Sequence, residues 1–131
     1  MSVRDMDEKG KSESGRHTPS EEEKRRFINL LVESFVECMR FGDSILRFLE
    51  LKYGLKKNDI LRRPESFILG LKDLMGGGAA VIERLMIENL YRKVGLECEW
   101  GEKTFREYIE EAFEEYIRRE ENKRDLQKLN R

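Results

Sequence analysis

Residues 64–95 read PESFILGLKDLMGGGAAVIERLMIENLYRKVG, and this stretch decides the fold. Pro64 suits the first position of a helix, where its missing N–H has no intrahelical partner to lose. Phe67, Ile68, Leu71, Leu74 and Met75 then recur at spacings of three and four, which marks one apolar helical face. Gly76-Gly77-Gly78 breaks the pattern. A second helix is predicted from Ala79 to Val94, with Val81, Ile82, Leu85, Met86, Leu90 and Tyr91 on its apolar side and Gly95 after it.

The same periodicity extends outward in both directions. Upstream, LKKNDILRR (55–63) is a basic connector with room for one short turn around Ile60 and Leu61. Before it, Asp43 can cap a helix carrying Ile45, Leu46, Phe48, Leu49 and Tyr53 inward, ended by Gly54. The first helix is expected to begin at Thr18 as N-cap, with Pro19 at its first position and Glu21 completing a capping box. Its stripe is Ile28, Leu31, Val32, Phe35 and Met39, and Gly42 is the expected stop. Downstream, residues 96–103 are irregular and hold Cys98 and Trp100. Thr104 and Glu107 then form a second capping box before a stripe of Phe105, Tyr108, Ile109, Ala112, Phe113, Tyr116 and Ile117. Beyond Ile117 only Leu126 and Leu129 are apolar, so the end is expected to project as a charged helix or fray. No alternating strand pattern and no repeat appears. The prediction is an all-α compact bundle of about five helices: residues 19–131 form one domain, and residues 1–18, poor in apolar side chains, form a disordered tail that contains His17.

Composition narrows the chemistry. In 131 residues, Lys plus Arg total 26 and Asp plus Glu total 27, a formal net charge of -1. That balance argues against a strongly basic nucleic-acid protein and against an acidic tail protein. No apolar run reaches the length of a membrane span and no secretory leader pattern opens the chain, so a reducing cytoplasm is the expected location for Cys38 and Cys98.

Each constellation that could carry chemistry has a plainer reading beside it. The glycine triplet lacks the Lys and Ser or Thr of a phosphate loop, because Ala79-Ala80-Val81 follow, and it lacks the strand a dinucleotide fingerprint needs. A C-cap glycine plus a tight corner where two helices pack closely is the expected role, so a bulkier residue there should meet φ > 0 strain or a steric clash. Glu107, Glu110, Glu111, Glu114 and Glu115 could hold Mg²⁺ only with a second acidic pair on a facing helix, and none stands out. Pairing of Glu114 with Arg118 and Glu115 with Arg119 is expected instead. Di-iron chemistry needs paired Glu-x-x-His motifs, which a single His excludes. Cys38 reads as a small buried hydrophobe, and Glu97 and Glu99 should suppress the thiolate of Cys98. The expectation is therefore no catalytic, cofactor-binding or metal-ligating residue, no cofactor and no enzymatic activity.

Charge is uneven along the chain. Lys52, Lys56, Lys57, Arg62, Arg63 and Lys72 face two acids in residues 52–72, whereas residues 97–115 carry eight acids against Lys103 and Arg106. Lys56, Lys57, Arg62 and Arg63 are candidate contacts for phosphate or nucleic acid, although no recognition helix follows them. A basic connector facing the acidic helix, within one chain or across a dimer, explains the asymmetry with fewer assumptions.

The segment from Asp59 to Gly95 also resembles a small archaeal helical family, the Nitrosopumilus-type output domain. The resemblance rests on a Pro-Glu-x-Phe helix start at Pro64, Glu65 and Phe67, and on a Gly-x-Gly-Ala corner at Gly76, Gly78 and Ala79 leading into Ile82 and Glu83. It covers about a third of the chain. It implies an archaeal source and a signalling output or interaction role, and it supplies no catalytic residues. Separately, the apolar surplus of the first and last helices leads to an expected homo-oligomer built on Phe27, Leu30, Val36, Phe113, Tyr116 and Ile117. The expected function is a non-enzymatic helical interaction domain that self-associates or binds a protein partner. A nucleic-acid-binding regulator using residues 52–72 is the alternative, and an enzyme acting on a phosphorylated ligand at the Gly76–Gly78 corner is third.

Overall fold

The computed structural model describes residues 18–129 and is all-α, with no strand among them. The tail through His17 lies outside the described residues. The six helices are α1 (Glu21–Val36), α2 (Gly42–Tyr53), α3 (Asn58–Arg62), α4 (Pro64–Met75), α5 (Gly78–Val94) and α6 (Phe105–Leu129). The one helix beyond the five expected lies in the connector, whose short turn is the five-residue α3, burying Ile60 and Asp59.

The first helix starts two residues later than expected. Two capping boxes overlap in the sequence, and Ser20 with Glu23 forms the real one. The Glu23 N–H donates to Ser20 Oγ (3.1 Å) and the Ser20 N–H donates to Glu23 Oε1 (3.0 Å). Glu23 is almost completely buried, and Arg124 of α6 donates to its other oxygen at 2.7 Å. The register that puts the acid of the box against this guanidinium wins over Thr18 with Glu21. Helix α1 also ends early, at Val36, and residues 37–41 form a turn before α2. Gly42 is thus no stop signal. A Cβ there would lie 2.8 Å from Val36 Cα, so glycine is what lets the turn fold back on α1. Phe41, with no side-chain hydrogen bond, stands at the N-cap expected of Asp43.

Helix α5 is the hub, packing against α1, α4 and α6. Its C-terminus closes with Gly95 in the left-handed region at φ 88°. One contiguous core draws on all six helices, and Phe27, Leu31 and Phe35 of α1 and Met86, Ile87 and Leu90 of α5 all belong to it. The Asn89 side chain donates to Ser34 O (3.1 Å), joining the middle of α5 to α1. Every buried side-chain nitrogen or oxygen among the described residues has a partner.

The second capping box forms as expected: Thr104 N donates to Glu107 Oε1 (2.8 Å), and Glu107 N to Thr104 Oγ1 (3.1 Å). Helix α6 continues past the end of its apolar stripe. Arg119 donates to Gly95 O (3.1 Å), and Arg124 reaches Glu23, so polar contacts hold the charged half where apolar ones have given out. Leu126 is exposed, and the side chain of Leu129 lies outside those described. No helix among the described residues is long and apolar enough to cross a membrane.

Candidate functional site

Two of the four candidate phosphate contacts, Arg62 and Arg63, are engaged within the chain. Asp59, on the same short helix, engages both arginines: Arg63 donates to its carboxylate (3.1 Å) and Arg62 lies 3.9 Å away. That carboxylate also accepts the Lys56 N–H at 2.9 Å, and hydrogen bonding by Arg63 above all holds its pKa below the ordinary value. Lys56 and Lys57 are exposed, but they stand beside Asp43 and Glu50 at the mouth of a pocket between α2 and α3. Lys52 pairs with Asp73 (3.6 Å) and lies over the rings of Phe48 and Tyr53. The expected facing of basic connector and acidic helix appears with the signs exchanged. Arg106, a base of the acidic helix, clamps Glu65, an acid of the basic segment, at 2.6 and 2.9 Å. Hydrogen bonding from Arg106 pulls the Glu65 carboxyl down to about 2.

The expected interface residues divide. Phe27 is fully buried within one chain, its ring 4.8 Å from that of Phe113 and 5.6 Å from that of Tyr116, and Ile117 is buried as well. The surplus on the first and last helices is largely consumed where those helices meet each other. Leu30, Val36, Phe113 and Tyr116 are half-buried and pack against the core. Burial inside one chain corrects the assignment of Phe27 and Ile117 to a subunit interface.

Of the two roles expected at the glycine corner, the C-cap conformation is present and the close packing is not. A Cβ on Gly76 or Gly77 would meet nothing within 4 Å, and one on Gly78 would only touch Met75. The corner is open, so close helix packing does not explain it. Conformation does, at Gly76 alone, where φ 58° and ψ -130° belong to a region that side chains disfavour. The close approach is at Gly70, where a Cβ would lie 2.9 Å from Leu49 Cδ2.

The acidic face of α6 is neutralised locally. Glu115 takes both Arg118 and Arg119, so the expected Glu114–Arg118 pair gives way to an i,i+3 contact. Glu111 accepts from Lys103 (2.7 Å) and from the Tyr91 hydroxyl (2.6 Å). No group of three or more potential metal ligands clusters among the described residues. Cys38 donates its thiol to Ser34 O (3.2 Å), and burial pushes its pKa up to about 11. The Cys98 pKa is also raised, by burial first and then by Glu88 and Glu111, which take the part expected of Glu97 and Glu99. Both thiols are held away from the reactive thiolate form.

Sequence reading missed two surfaces. The first is apolar and solvent-facing: Phe48 and Leu51 on α2, and Leu69 on α4. Leu51 is 78% exposed and Leu69 64%. Tyr53, Leu55, Gly70 and Leu69 line a shallow groove between the two helices, and Lys52 joins Phe48 to Tyr53, so the features make one strip. The second surface is the pocket mouth, where Arg47, Asp43 and Glu50 of α2 meet Lys56 and Lys57. The signal for the strip was present: Phe48 and Leu51 do not share a helical face with Leu46, Leu49 and Tyr53. No protein-family model matches this chain, and neither does any curated protein or solved structure.

Proposed function

We propose that this chain is a non-enzymatic helical interaction domain, a signalling or regulatory output module that works through protein–protein contact. The observation that carries the reading is the apolar strip of Phe48, Leu51 and Leu69, set beside the groove between α2 and α4. Large apolar side chains clustered on a surface cost solvation unless a partner covers them. A second copy of the chain is the occupant best matched to it. The strip carries Lys52 and Asp73 side by side, and a two-fold axis would set each base near the other copy's acid. Sedimentation equilibrium at micromolar concentration tests this. A mass of twice 15.6 kDa is expected, falling to that of one chain in the double variant Leu51→Glu, Leu69→Glu, with the helical circular dichroism signal retained. A wild-type species that stays at 15.6 kDa overturns self-association.

A further inference from the structure

The turn through Gly54, left-handed at φ 68°, carries the chain from α2 back to α3 and leaves a pocket of about 270 Å³ between them. Its floor is apolar: Leu46, Leu49, Ile60 and Phe67 are all core residues. Its rim is charged with both signs. Asp43, Arg47 and Glu50 come from α2, and Lys56 and Lys57 from the turn, all exposed. On α6 the charges close into ion pairs at the same i,i+3 and i,i+4 spacings that relate Asp43, Arg47 and Glu50. On this rim they do not: none of the five has an ionic partner within 4.0 Å among the described residues. The only other acid in the pocket, Asp59, is already occupied by Arg62, Arg63 and the Lys56 N–H.

An apolar floor under uncommitted charges of both signs selects its ligand by elimination. A simple anion would meet Asp43 and Glu50, and a simple cation would meet the three bases. A neutral apolar molecule would gain nothing from the rim. We propose that this pocket binds a small amphipathic zwitterion, with the chemistry of a free apolar amino acid. The ligand carboxylate is held by Arg47, Lys56 and Lys57, and its ammonium by Asp43 and Glu50. Its side chain covers the floor between Leu46 and Phe67. The volume fits a small metabolite, since sites for drug-sized ligands run from about 300 to 1,000 Å³. Charge-assisted hydrogen bonds from a fork-shaped guanidinium favour a carboxylate, which makes Arg47 the principal anchor.

Titration of the full-length chain, followed by ¹H–¹⁵N correlation spectra, tests the assignment. The probes are leucine and phenylalanine, with N-acetyl-leucine as the anion alone and leucinamide as the cation alone. The free amino acids should give saturable shifts centred on the amides of residues 43–60, and each blocked probe should bind at least about tenfold more weakly, the loss of one charge-assisted contact. Arg47→Gln and Asp43→Asn, both at exposed positions, should each weaken the amino acid similarly while leaving the remaining spectrum in place. Absence of saturable shifts at tens of millimolar amino acid overturns the proposal, as does equal binding of the blocked probes. The outcome is independent of self-association, because shifts confined to the pocket report its occupancy whether or not the strip of α2 and α4 is covered.

Discussion

Replacing Phe27 by Ala separates a core role from an interface role. The ring is fully buried in a single chain and touches the rings of Phe113 and Tyr116. Losing the apolar side chain forfeits about 2 kcal/mol of transfer free energy. A residual cavity of roughly 80 Å³, at about 24 cal/mol per Å³, costs about 2 kcal/mol more. The expected destabilisation is therefore about 4 kcal/mol, inside the range for a buried phenylalanine reduced to alanine. Urea denaturation followed by circular dichroism at two protein concentrations a hundredfold apart measures it. The loss should be the same at both concentrations, because the contacts are made within one chain. Phe27→Leu, which keeps most of the volume, should cost less than about 1.5 kcal/mol and provides a folded reference if the alanine variant does not fold. A loss below about 1 kcal/mol for the alanine variant, or one that shrinks as the protein is concentrated, refutes the core assignment.

Two further outcomes follow from the corner and from the ion pair joining α4 to α6. Gly76→Ala should lower stability by about 1–3 kcal/mol through its backbone conformation, whereas Gly78→Ala, at the first position of α5 with space for a Cβ, should be neutral or stabilising by up to about 1 kcal/mol. Thermal melts of the two variants check this, and equal losses at both positions would restore close packing as the cause. For Glu65, Arg106 lowers the folded-state pKa from 4.5 to about 2, so the pair stabilises the fold above the unfolded-state value and that contribution disappears as pH falls through this interval. Glu65→Gln should flatten stability against pH between about 4.5 and 2 and leave its shape near neutrality unchanged; an unaltered acid limb would contradict the assignment.

Helix identity was legible wherever apolar spacing met a strong terminator, as at Pro64, Gly54 and Gly95. The number of neighbours each helix has was not. Phe48, Val81 and Leu85 were expected inward and are exposed, because an apolar stripe records the residues able to face a partner and not the width of the partner available. Phe27 shows the reverse: it lies beside the main stripe of α1, and α6 comes to cover it from far along the chain. The cap also has a long-range side: Ser20 and not Thr18 caps the helix, and the acid of that box, Glu23, is the one that meets Arg124. The pocket rim was half legible, in Lys56 and Lys57. Its acids belong to the preceding helix, and only the Gly54 turn brings the two sets together.

The contact between Glu23 and Arg124 spans 101 residues of chain. During synthesis the carboxylate leaves the ribosome first and its guanidinium partner only after that interval has been translated, about 5–20 s at 5–20 residues per second. Until then the opening turn of α1 has its Ser20 cap but not the Arg124 ion pair that closes over the acid in the finished protein. The pair that ties the start of the first helix to the last one is thus among the last to form, and the nascent chain carries an unclosed seam along Phe27 for nearly as long, until Phe113 and Tyr116 have been made.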